Sequence, residues 1–107
     1  MRPTAVLAFL AAVAPALVLV PQTAAADAAR GAALAQRWCA SCHAAGTGGA
    51  PAPDAGPPFA TIAADPAYDD ARLRGWLSDP HPPMPNFNLT RAEIDDLISH
   101  IRSLKPR

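Results

Sequence analysis

The sequence predicts an all-α domain, and three observations carry that prediction. Segments with start signals and helical periodicity recur along the chain. No run alternates apolar and polar residues as a half-buried strand would. Two proline-rich stretches separate the helical segments, where neither a helix nor a central strand can continue.

Residues 1–26 read as a targeting segment rather than as part of the fold. Arg2 supplies a short basic start, Ala5 to Val20 an apolar run, and Pro21 with Ala24-Ala25-Ala26 a small-residue end, so cleavage is expected after Ala26. The competing reading is a retained membrane anchor, since the run approaches the roughly 18 to 20 apolar residues a span needs. Its alanine content and the interruption at Pro15 favour a cleaved leader. Residues 27–107 then form one small domain. Half of the whole chain is hydrophobic, but much of that share is leader and alanine. A domain of this size therefore needs a disulfide, metal or cofactor to fold firmly.

Asp27 is suited to cap a helix reaching about Cys39, built from Ala28, Ala29, Ala32, Ala33, Leu34 and Ala35. Gly31 interrupts it and is expected to mark a close crossing by another helix, although a tolerated helix glycine is the alternative. Ala44 to Pro58 holds four glycines and four prolines and reads as a loop. Phe59 to Ala64 predicts a short helix ending near Asp65-Pro66, and Tyr68 to Leu77 another, with Leu73, Trp76 and Leu77 on one side. Pro80, Pro82, Pro83 and Pro85 make Asp79 to Phe87 a stiff, extended loop. The last helix is the clearest element: Thr90 and Glu93 form a capping box, Ile94, Leu97, Ile98, Ile101 and Leu104 follow at helical spacing, and Pro106 marks the end.

The segment Cys39-Ala40-Ser41-Cys42-His43 carries the chemistry. C-x-x-C-H is the spacing at which two thiols bond the vinyl groups of one haem while the adjacent imidazole reaches its iron. Two rivals use the same cysteine pair. Thiol–disulfide exchange calls for a preceding strand in a βαβ framework, whereas an Ala-rich helix precedes Trp38-Cys39. A zinc site calls for a second cysteine pair or a His pair at the usual spacing, and the chain has neither. Haem attachment is the reading that uses His43.

A haem so held predicts a second iron ligand downstream. Beyond Met1 the chain has one methionine, Met84, set between Pro83 and Pro85. A lone Met is commonly a gap-filler in a core, but a proline-braced loop is better suited to hold a thioether rigidly, and His/Met is a known haem ligation. Charge points to no nucleic acid: the leader holds one of nine basic residues, leaving eight against nine acidic ones, with no basic patch.

With these residues in this order, the chain resembles the small class I c-type cytochromes, the bacterial periplasmic monohaem kind, over essentially all of residues 27–107. The matching stretches are Gly31 to Trp38 before the pentapeptide, Gly56-Pro57-Pro58-Phe59, Trp76-Leu77 before Pro80-His81, Met84-Pro85-Asn86-Phe87, and Glu93 to Leu104. The resemblance implies the cytochrome c fold, three to five short helices wrapped around one covalently bound haem, with the N- and C-terminal helices crossing. It implies that Cys39 and Cys42 carry the haem, that His43 and Met84 are the axial ligands of its iron, and that the Pro57 carbonyl accepts from the imidazole. Trp76 is similar to a tryptophan whose indole N–H bonds a haem propionate; a buried aromatic with a satisfied N–H is an equal alternative. Arg72 and Arg74 could add charge there, although solvated helix charges are the simpler reading. Asn86 could hydrogen-bond near the Met84 sulfur. His81 is expected to be a loop residue rather than an alternative ligand. Relatives usually carry an aromatic where this chain has His100, so His100 either substitutes in the crossing near Gly31 or leaves that contact looser.

The expected function is one-electron transfer rather than catalysis, in the periplasm, with redox proteins as transient partners and no membrane association unless the leader is retained. A cytochrome subunit of a periplasmic oxidoreductase is the alternative, favoured by a near-neutral charge that gives little steering. A haem enzyme or gas sensor would need a labile sixth site, against which Met84 argues.

Overall fold

The computed structural model describes residues 25–46 and 56–107, and the expected leader, apart from Ala25 and Ala26, lies outside the described residues. Among the described residues four helices follow in order: α1 (Ala28–Trp38), α2 (Phe59–Ala64), α3 (Asp70–Ser78) and α4 (Arg91–Ser103). No strand occurs among the described residues, as expected of an all-α fold. No helix among them is long and apolar enough to cross a membrane.

Each start signal finds its backbone partner. The Asp27 carboxylate accepts the N–H groups of Ala29 and Arg30 at 2.8 and 3.0 Å, satisfying donors that have no partner within the helix. At α4 both halves of the capping box form: Thr90 Oγ1 accepts from Glu93 N–H at 3.2 Å, and Glu93 Oε2 from Thr90 N–H at 2.8 Å. The third helix starts later than its periodicity suggests. Asp69 caps it by accepting the Arg72 N–H at 2.8 Å, which leaves Tyr68 in front of the helix with its ring edge-on to Trp76.

Helix α1 packs most extensively on α4, with α2 and α3 against other parts of α4. A β-carbon at Gly31 would run into the Asp96 backbone carbonyl and lie 2.8 Å from His100 Cβ, so the two backbones meet where only glycine fits. The close-crossing reading of Gly31 therefore holds. His100 is buried, 6 % exposed, and fills that crossing rather than loosening it. Around it Ala35, Phe59, Ile62, Leu73, Leu77, Ile94, Leu97, Ile98 and Ile101 form one core, with Leu97 the most enclosed at 1 % exposure.

Polar ties at the middle and the C-terminal end of α4 fix its position. The Asp96 side chain, 8 % exposed, accepts from Arg30 Nε at 2.9 Å and from the Asp27 backbone N–H at 2.7 Å. The hydrogen bond from Arg30 holds the Asp96 carboxyl below the usual carboxylate range, outweighing the opposing effect of burial. At the C-terminal end Arg102 bonds Asp70 at 2.7 Å and the Tyr68 carbonyl. Arg74 turns to Asp95 at 2.6 Å, an ion pair between α3 and α4. Arg74 thus pairs with α4 while staying exposed, as expected of a solvated helix charge.

Candidate functional site

The pentapeptide turns immediately after α1. Cys39 caps the helix, its N–H bonding the Ala35 carbonyl at 2.8 Å, and its own carbonyl accepts from Cys42 N–H at 3.1 Å and His43 N–H at 2.9 Å. This tight turn gathers Cys39, Cys42 and His43 at one wall of a cavity of about 340 Å³. The two thiols differ in setting. Cys39 is buried and Cys42 exposed. Burial, with a smaller contribution from Cys42, pushes the Cys39 thiol up to about 11. A reactive exchanging cysteine needs the opposite shift, so this setting suits a thioether and not a thiol–disulfide couple.

The next stretch of wall comes from residues 56–59, brought alongside by the Phe59 N–H donating to the Ala44 carbonyl at 3.0 Å. The Pro57 carbonyl lies 2.7 Å from His43 Nδ1; a carbonyl only accepts, so Nδ1 carries the proton and Nε2 is the free lone pair. That arrangement fixes both tautomer and ring direction, which an iron-binding imidazole requires. Gly56 lies flat against the ring: a β-carbon there would be 2.7 Å from His43 Nε2 and 2.8 Å from Nδ1. The Phe59 ring packs tilted on the imidazole, centroids 5.2 Å apart.

The proline-rich segment and α3 supply the rest. Met84 lines the cavity half-buried, its N–H bonded to the His81 carbonyl at 2.9 Å in a turn bracketed by prolines. Trp76 lines it too, with Tyr68 edge-on at 5.3 Å on one side and His81 at 4.8 Å on another. The Arg72 guanidinium sits 5.8 Å from both the Tyr68 and Trp76 rings, a cation–π pairing at the edge of this cluster. Asn86 does not turn to Met84: its side-chain oxygen accepts the Asn88 N–H at 2.8 Å, shaping a turn in which Asn88 has φ of 52°.

The structure thus brings Cys39, Cys42, His43, Pro57, Trp76 and Met84 around one cavity, and His81 with them. It adds Phe59, Tyr68 and Ile101, and the pair Trp38–Phe87 stacked at 5.7 Å. Among these Phe59 and Phe87 lay in stretches the sequence resemblance singled out together with a site residue, Pro57 and Met84. Tyr68 and Ile101 look like ordinary core residues until the helices are packed. The lining is mostly apolar, with few polar groups, the character of a cofactor cleft. A planar macrocycle fits these residues: two thiols on one edge, an imidazole Nε2 kept clear by glycine, and a soft thioether lining the same space.

Residues 28–105 match the family model for cytochrome c. The chain belongs to the cytochrome c family. Members bind covalent haem c with its iron, and this chain is a monohaem c-type electron carrier with one C-x-x-C-H site. It is similar to cytochrome c-552 of Bradyrhizobium diazoefficiens, with 49 % identity over 82 residues, covering 77 % of this chain and 79 % of that protein. No solved structure matches the chain. As a cytochrome c, the chain uses the α1–α4 crossing as a frame and hangs the cofactor wall from the turn after α1.

Proposed function

We propose that this cytochrome c is an exported, periplasmic one-electron carrier whose haem is bound through Cys39 and Cys42 and whose iron is ligated by His43 and Met84. The observation that carries the reading is the convergence of these four side chains on one apolar cavity, with the His43 Nε2 lone pair left free by the Nδ1 bond to Pro57. Bound haem supplies an Fe(III)/Fe(II) couple. The chain's own residues do the rest. Pro57 fixes the imidazole, and the prolines around Met84 hold the thioether so that it moves little between oxidation states. Thioether ligation favours the reduced ion and raises the potential. Trp76 donates its indole N–H to a haem propionate in this reading. Support comes from its place in the cavity lining. Both axial positions being taken by the protein leaves no site for a substrate, which fits transfer rather than catalysis.

The deciding experiment is the optical spectrum of wild type and Met84→Ala. Wild type is expected to be low-spin with the weak Fe(III)–Met band, and to bind carbon monoxide slowly when reduced. The variant is expected to lose the band and bind carbon monoxide rapidly. Rapid binding by wild type at neutral pH would overturn the ligation. The near-neutral charge also fits a cytochrome subunit of a periplasmic oxidoreductase, because weak steering suits a standing interface. Purification in a stoichiometric complex would favour that reading, and purification alone the free carrier.

A further inference from the structure

His100 is a buried titratable residue on the helix opposite the pentapeptide, and electron transfer by the four haem-holding residues does not require it. Its Nε2 lies 2.6 Å from the carbonyl of Ala45. Since the carbonyl can only accept, Nε2 carries the proton and donates. Ala45 is itself buried and stands two residues after His43, so an unpaired carbonyl there would be costly. Among the described residues this is the one hydrogen bond joining α4 to residues 39–46 or 56–59.

The bond closes a short mechanical chain. Residues 43–45 and 56–59 are already clasped together, by Phe59 N–H on the Ala44 carbonyl and by His43 Nδ1–H on the Pro57 carbonyl. Phe59 lies between the two histidines, with centroids 5.2 Å from His43 and 6.3 Å from His100. Helix α4 is a firm support, held by its capping box and by Asp96 and Arg102. Gly31 leaves room for His100 Cβ at the crossing, so the α1–α4 contact and the tie to the cofactor wall use the same residue.

We propose that His100 is a positioning residue for the iron-binding imidazole: its Nε2–H anchors the Ala45 carbonyl and thereby sets the orientation of the His43 ring against α4. An apolar ring at position 100 would fill the volume but leave the carbonyl unpaired and the wall tied to α4 by packing alone. The inference rests on His43 being an iron ligand, which the wild-type low-spin spectrum tests before any variant at position 100 is compared.

The test uses holoprotein. In wild type, nitrogen NMR of His100 is expected to show the proton on Nε2; a neutral ring protonated on Nδ1 would overturn the proposal without any variant. His100→Phe keeps a ring and removes the donor. It is expected to redistribute the paramagnetic shifts of the ferric haem methyls, which report the axial imidazole plane. It is also expected to speed exchange of the His43 Nδ1 proton by about three- to tenfold, the factor for one lost neutral hydrogen bond. His100→Gln, which restores an N–H at similar reach, is expected to return both readouts toward wild type. Wild-type methyl shifts and exchange in His100→Phe, with only the thermal midpoint lowered, would overturn the proposal. So would failure of a folded His100→Gln to restore them.

Discussion

Two glycines and a cysteine show how single residues set this site. A methyl group at Gly56 would run into His43 Cε1 and lie 2.7 Å from its Nε2. Gly56→Ala is expected to displace the imidazole, weaken its bond to Pro57 and cost about 1–3 kcal/mol of stability, as overpacking does. Thermal unfolding together with the visible spectrum would check it, and an unaltered spectrum would mean that residues 56–57 move aside freely. At Gly31 the obstacle is the Asp96 backbone carbonyl rather than a side chain, so it cannot rotate away. Gly31→Ala is expected to reach the upper end of that range, about 3 kcal/mol, measured by denaturant titration. Cys39 illustrates the electrostatic side, since its buried thiol, pushed up to about 11, stays neutral near pH 7.

At the scale of elements, α4 is the support against which everything else is set. Its N-terminal turn is closed by Thr90 and Glu93, and its middle accepts α1 through Gly31, Arg30 and Asp96. Arg30 holds the Asp96 carboxyl below its ordinary range, so folding favours the charged form. The resulting stability is fully present above the ordinary carboxylate pKa of about 3.9 and disappears as the pH falls through the lower, folded value. Asp96→Asn is therefore expected to be less stable than wild type at pH 7, with the difference shrinking as the pH falls from about 4 through the lower, folded value. Urea midpoints measured from pH 7 to pH 2 would check it, and a difference that stays constant across that range would assign the Asp96 effect to packing. The start of α3 teaches a related point about legibility. Leu73, Trp76 and Leu77 give the right face from periodicity, but Tyr68 is excluded by the side chain of Asp69, a competing cap that periodicity does not register.

At the scale of the whole fold, the four short helices among the described residues pack around a core that opens into a cleft of about 340 Å³, and a chain this small has little else to stabilise it. Replacing both Cys39 and Cys42 by Ser, which prevents covalent attachment, is expected to leave a chain with reduced helix content and no sharp thermal transition. Circular dichroism would check it, and a cooperative melt would show that the helices suffice. The pentapeptide, the lone Met84 between prolines, the Thr90–Glu93 box and the periodicity from Ile94 to Leu104 were legible because each depends on neighbours within a few positions. Local chemistry of that kind determines the cofactor class, the helical elements and the candidate ligands. The tertiary structure alone decided that Arg74 pairs with Asp95 and that His100 bonds Ala45 across 55 positions. Those partners are chosen by which surfaces meet when α3 and the segment after the pentapeptide pack on α4, and a one-dimensional pattern records only which residues are apolar, not which polar atoms face each other across the core.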